Sequence, residues 1–183
     1  MIDVTPIIRQ YSRFRLNQLK KQNISAIQKF QMLKLLKKAE STLFGRQYGF
    51  RNIRTVEHYQ RIVPLRTYED FWDDFWGRQF PNLTDCTWTG KTPFFAITTG
   101  TTKKSKNIPL SEEMIRSNSK ASFDLFSHHI ANRPRSRILG GEGCMTGISN
   151  FRQLSPNVCV GSLPDILTLQ RHLQGKTNDF RRL

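Results

Sequence analysis

The chain is poor in cysteine: Cys86, Cys144 and Cys159 are the only three in 183 residues. They stand too far apart to form a C-x-x-C element, which excludes zinc ribbons and redox motifs of that spacing. An odd count without metal spacing predicts free thiols in a reducing, cytoplasmic compartment. Long apolar runs are missing too. No stretch of about 18 apolar residues occurs, so no segment reads as a membrane-spanning helix. Met1 to Tyr11 contains Asp3, Pro6 and Arg9 and no apolar core, which predicts the absence of a secretory leader. Acidic residues are scarce, 14 against 29 basic ones, for a net charge of +15. A hydrophobic share of 37%, with 11 glycines and 8 prolines, argues against a wholly disordered or fibrous chain. The length suits one domain with an extension.

What is present in excess is positive charge, and it is unevenly placed. Residues 1–50 hold 10 basic and 2 acidic side chains, whereas residues 51–100 hold 6 of each. In the first stretch Arg9, Arg13, Arg15, Lys20, Lys21, Lys29, Lys34, Lys37 and Lys38 interleave with apolar residues. That pattern reads as the solvated face of amphipathic helices. Phosphate-backbone contact and an anionic membrane surface are the alternatives. No zinc-finger spacing, basic zipper or RRM signature supports a nucleic-acid partner.

Two N-terminal helices are expected, over 7–21 and from Ile24 onward, with Ser25 or Asn23 as cap. Gly45 and Gly49 are expected to end the second helix in a compact turn. Thr55 predicts a short helix that ends before Val63-Pro64-Leu65, and Thr67 opens another with Glu69 and Asp70 in its first turn. Phe71, Trp72, Phe75 and Trp76 supply its burying face, a core stripe in preference to a nucleobase platform. From Phe80 to Pro93 the turn formers predict an irregular connection. Phe94 to Thr98 reads as a buried strand, and Arg137 to Gly141 as a second. Between them a helix from Ser111 to Ile130 is expected, with Met114, Ile115, Ala121, Phe123, Leu125 and Phe126 as core. Beyond Phe151 the pattern weakens.

The stretch richest in chemistry runs from Thr98 to Lys106, five hydroxyls, one glycine and three lysines in nine residues. A polyphosphate requires short donors, amides that can turn inward, and cations without bulk. Gly100 permits the bend, the threonines and nearby amides donate, and Lys103, Lys104 or Lys106 offset charge. A polar surface loop is the plain alternative. The spacing is not that of a Walker A loop.

The order Thr98-Thr99-Gly100-Thr101-Thr102, then lysine and Ile108-Pro109, resembles the phosphate-binding loop of acyl-adenylate-forming enzymes. Within them it is most similar to the auxin-responsive acyl-acid amido synthetase family. Phe44-Gly45-Arg46-Gln47-Tyr48-Gly49-Phe50, Val63-Pro64-Leu65-Arg66-Thr67-Tyr68-Glu69-Asp70 and Phe94-Phe95-Ala96-Ile97 follow the family's order. Arg137-Ile138-Leu139-Gly140-Gly141 and Leu154-Ser155-Pro156-Asn157-Val158 extend the resemblance, which covers roughly residues 24–165. It implies an α/β fold: the incomplete N-terminal part of a large adenylate-forming domain, a helical N-terminus followed by mixed strands and helices. It also implies a two-step reaction, in which a carboxylic acid is adenylated by ATP and an amine or amino acid then captures the acyl group. Thr98, Thr99, Gly100, Thr101, Thr102 and Lys106 would hold the nucleotide phosphates, with Mg²⁺ bridging. Many relatives carry glycine where this chain has Lys103.

Family members run roughly two to three times longer, as a large domain plus a small mobile one does. No Tyr-Arg-x-Gly-Asp or Tyr-Gly/Ala-Ser/Thr-x-Glu segment occurs. The expectation is therefore a truncated synthetase, with a basic helical extension over 1–22, a partial adenylate-forming domain over 23–170, and a disordered, unrelated tail over 171–183. A basic binding module for nucleic acid or an anionic membrane is the alternative function. Other constellations read as incidental. Gly141 and Gly143 lack the third glycine of a dinucleotide fingerprint, since position 146 is threonine. Ser117 and Lys120 lie inside a predicted helix. His128 and His129 are adjacent and diverge on a helix, and no metal-ligand set is expected. Cys144 has no histidine at a partner spacing.

Overall fold

The structure, a computed structural model, describes residues 5–98, 105–138, 151–167 and 169. Its elements run α1 (Thr5–Lys20), α2 (Ile24–Ala39), α3 (Leu43–Gln47), α4 (Val56–Ile62), α5 (Tyr68–Phe71) and α6 (Gly77–Gln79), then β1 (Phe94–Thr98), β2 (Lys106–Leu110), α7 (Glu112–Asn132), β3 (Arg152–Ser155) and β4 (Val158–Gly161). A 3-10 turn, Phe50–Asn52, follows α3, and a π-helical stretch, Trp72–Trp76, joins α5 to α6. The class is α/β, a helical N-terminus followed by strands and helices, as expected.

The chain divides into two compact units. One holds α1 and all but the first residue of α7. Within it Tyr11 meets Phe123 edge-on at 5.4 Å, and Arg15 grips Asp124 with two parallel bonds of 2.7 and 2.8 Å. Ile115 and Ile130 are its buried apolar residues on α7, with Ser127 beside them in the buried set. The expected core differs here. Of the six expected residues Ile115 is buried, whereas Met114, Ala121, Phe123, Leu125 and Phe126 are exposed, because the side of α7 that is covered carries Ile115, Ser127 and Ile130.

The other unit holds α2 to α6 and a four-stranded sheet in the order β2-β1-β4-β3. β1 pairs parallel with β4 and antiparallel with β2, and β3 pairs antiparallel with β4. Phe95, Val158 and Val160 of the sheet meet Leu36, Ala39, Phe44, Phe50, Ile53 and Phe75 in one core. Of the expected aromatic stripe, Phe75 is buried in this core and Phe71 stacks on Trp76 at 5.0 Å beside it, whereas Trp72 lies outside the core, against Tyr68 and Phe80. Phe75 enters the core that includes Phe95, Val158 and Val160 of the sheet, and Phe71 and Trp76 pack half-buried against it.

Several boundaries differ from expectation. α2 stops at Ala39, earlier than Gly45, because Thr42 intervenes. Its hydroxyl donates to the Ala39 carbonyl at 2.7 Å and accepts the Gly45 amide at 3.0 Å, capping α3. Gly45 lies inside α3, where a Cβ would run into the Ala39 carbonyl. Gly49 does make the expected turn, with φ of 59°. Of the expected strand from Arg137 to Gly141, residues 137 and 138 are not strand, and the others lie outside the described residues. The hairpin of β3 and β4 was not legible. Its strands are four residues each, too short to show a period.

Candidate functional site

Thr98 and Lys106, the two ends of the hydroxyl- and lysine-rich segment, are register partners in an antiparallel pair. The segment is therefore the connection of a β-hairpin, and it leads into a strand, β2, over Lys106–Leu110, where a loop was expected. Pro109 disguised it. Proline removes a ladder donor, and is admitted only on an edge strand or at a bulge. β2 is an edge strand. The Asn107 amide bonds outward, to Tyr68, and Pro109 lies two residues on with its missing donor on that same free side.

Burial grades along the hairpin. Phe94 and Leu110 face each other at the buried base, Ala96 and Ile108 come next, and Thr98 and Lys106 stand half-exposed at the mouth. Cross-strand partners share a face, so Thr98 and Lys106 present side chains to one side of the sheet where the connection leaves it. Thr99, Gly100, Thr101 and Thr102 lie outside the described residues, as do Lys103 and Lys104.

The start of α5 holds the hairpin mouth in place, and five consecutive residues divide the work. Arg66 donates to the Tyr48 hydroxyl at 2.7 Å and to Asp74 at 2.5 Å, with its guanidinium 5.3 Å from the centre of the Phe75 ring. The hydrogen bonds it donates to Asp74 and Tyr48 favour its charged form, so its pKa is raised. Thr67 and Asp70 form a reciprocal capping box, each accepting the other's backbone N–H. That box holds the Asp70 carboxyl below the usual range. Tyr68 reaches the free edge of β2: its hydroxyl accepts the Asn107 N–H at 3.0 Å and donates to the Asn107 carbonyl at 3.3 Å. Burial pushes the Tyr68 phenol up, which keeps the donating proton in place. Glu69 pairs with Lys106 at 2.8 Å, and the Lys106 ammonium lies 4.8 Å from the centre of the Tyr68 ring. The Lys106 hydrogen bond holds the Glu69 carboxyl below the usual carboxylate range.

Tyr68 and Glu69 were not legible as neighbours of the segment. The acids of α5 read as partners of the helix dipole, and nothing in their spacing points to a strand beginning at Lys106. The only local hint is that Asp70 suffices for the capping box, which leaves Glu69 unassigned.

The remaining constellations sit apart from this hairpin in sequence. His129 shares a hydrogen bond with the Ser136 hydroxyl at 2.9 Å, and these two line a hollow of about 540 Å³ with Asn132, Arg133, Pro134 and Arg135. Among the described residues no group of three His, Cys, Asp or Glu side chains is placed to hold a metal. Cys86 is buried and Cys159 half-buried, both free thiols with pKa raised by burial; Cys144 and the run from Gly140 to Gly147 lie outside the described residues. No helix among the described residues is long and apolar enough to cross a membrane.

Comparison with known proteins adds one finding. Residues 15–156 match the family model described as the GH3 family N-terminal domain. No curated protein matches the chain.

Proposed function

The chain belongs to the GH3 family, that of the auxin-responsive acyl-acid amido synthetases, and from that premise we propose that its β1–β2 hairpin holds the phosphates of ATP during carboxylate adenylation. In the proposed reaction a carboxylate oxygen attacks the α-phosphorus, the bond to the bridging oxygen breaks, and pyrophosphate leaves. An amine nitrogen then attacks the acyl carbon, AMP departs, and the nitrogen loses a proton to form the amide. The protein's part in the first step is positioning and charge stabilisation, because phosphoryl chemistry needs little else from side chains.

The observation that supports this reading is the pairing of Thr98 with Lys106 at the hairpin mouth. It brings a hydroxyl and an ammonium to the two ends of one short connection that contains Thr99, Gly100, Thr101 and Thr102. Lys106 is assigned the offset of negative charge on the departing pyrophosphate, and the threonine hydroxyls and loop amides are assigned its oxygen atoms. The threonine hydroxyls, hard oxygen donors, would help to hold magnesium, which would further offset the charge of the triphosphate. The free thiols of Cys86 and Cys159 accord with the cytoplasmic location we assign.

Thermal unfolding with and without magnesium ATP tests the reading. Wild type is expected to shift upward, and Gly100→Val and Lys106→Ala are expected to lose most of the shift. Equal shifts in all three proteins would rule the hairpin out as the phosphate site.

A further inference from the structure

We propose that Glu69 is a positioning residue for the phosphate site: its carboxylate occupies the Lys106 ammonium until nucleotide phosphate displaces it. The inference rests on the reading of Lys106 as a phosphate ligand.

Three features of the structure carry it. First, the backbone beneath Lys106 is fixed independently of the ion pair. Tyr68 bonds both the amide and the carbonyl of Asn107, and β1 pairs with β2 on the other side. The Lys106 side chain can therefore change partner without moving the strand. Second, Glu69 has a fixed platform. Its neighbours Thr67 and Asp70 cap α5, and Arg66 ties the same turn to Tyr48 and Asp74. Asp70 and Asp74 have these partners already, and it is Glu69 that meets the lysine. Third, the pair is open to water, with side chains 64% exposed for Glu69 and 37% for Lys106. An exposed ion pair is worth little, so a ligand bearing several negative charges can break it at small cost. A buried pair would resist.

The arrangement has two consequences for the nucleotide-free protein. The Lys106 ammonium lies over the Tyr68 ring, already next to an anion. Binding then exchanges one anionic partner for another. The exchange is a competition, so removing the Glu69 charge should strengthen binding, the opposite of what loss of a structural contact does.

Titration of the full-length chain with magnesium ATP in a calorimeter reads this directly. Glu69→Gln is expected to lower Kd about two- to five-fold, the equivalent of an exposed ion pair released in advance. Lys106→Ala is expected to raise Kd at least about ten-fold, as loss of a charged hydrogen bond to phosphate does. In the Lys106→Ala background, Glu69→Gln should have no further effect, because the two residues act through one contact. If Lys106→Ala weakens binding while Glu69→Gln leaves it unchanged or weakens it, the role of Glu69 is overturned and the phosphate reading stands. If Lys106→Ala leaves binding unchanged, or wild type does not bind the nucleotide, the phosphate reading falls and the Glu69 proposal with it.

Discussion

At the scale of single residues, the structure turns on small side chains that let backbone approach backbone. Thr42 turns the end of α2 into the start of α3 with one hydroxyl that both donates and accepts. The turn is tight enough that Gly45 has no room for a methyl group against the Ala39 carbonyl. Gly45→Ala is therefore expected to destabilise the protein by about 3 kcal/mol, read as a lower midpoint in urea unfolding with an unchanged slope. Gly49→Ala should cost only about 1 kcal/mol, since its strain is that of a left-handed backbone with open space around it. A larger effect at Gly49 than at Gly45 would contradict this account. Both glycines were conspicuous in the sequence as turn formers. The distinct reason for Gly45, a steric one, comes from a carbonyl six residues away in the preceding helix.

At the scale of elements, the helix positions were readable and several of their partners were not. α1 and α7 are separated by more than 90 residues, yet they share an Arg15–Asp124 ion pair with two parallel hydrogen bonds. Hydrogen bonding from Arg15 lowers the Asp124 pKa, with burial opposing it. A carboxyl whose folded-state pKa is depressed stabilises fully above its ordinary value of 3.8, and that contribution is lost as pH falls through the lowered value. Hydrogen exchange on α1 and α7 should accordingly lose protection between about pH 4 and the lowered value in wild type. In Asp124→Asn the loss in that window should vanish, and protection near neutral pH should already be lower by about 1 kcal/mol. Identical pH profiles for the two proteins would show that the pair contributes nothing. At β2 the concealment had another source. Five residues ending in Ile108, Pro109 and Leu110 read as a loop, because Pro109 is a breaker everywhere except on an edge or at a bulge. Whether a strand lies on an edge is a property of the sheet.

At the scale of the whole molecule, charge and ligand binding are the quantities that reach a measurement. The net charge of +15 predicts retention on a cation exchanger at neutral pH and release as salt shortens the screening length. Binding of magnesium ATP at 100 times its Kd stabilises the folded state by about 2.7 kcal/mol. For a chain of this size that is a rise in Tm of about 5–10 °C. Chelating the magnesium should reduce the rise, because the triphosphate then reaches the hairpin with its full charge. A rise of the same size with ATP and chelator would argue against the ion's part in binding.

Much of this protein was determined by its sequence alone. Capping threonines at Thr55 and Thr67, the strand from Phe94 to Thr98, and the aromatic face of Phe71, Phe75 and Trp76 all follow from local preferences and appear as expected. Family membership was legible for the same reason: it resides in short ordered motifs, and residues 15–156 carry the match. The tertiary structure alone decided that Lys106 opens an edge strand, that it stands opposite Thr98, and that Glu69 and Tyr68 meet it from a helix 37 and 38 residues earlier. These are contacts between segments whose separation in sequence bears no relation to their separation in space. The short period of a strand and the spacing of a motif report on neighbours along the chain. Which anion a lysine touches depends on how sheet and helix pack.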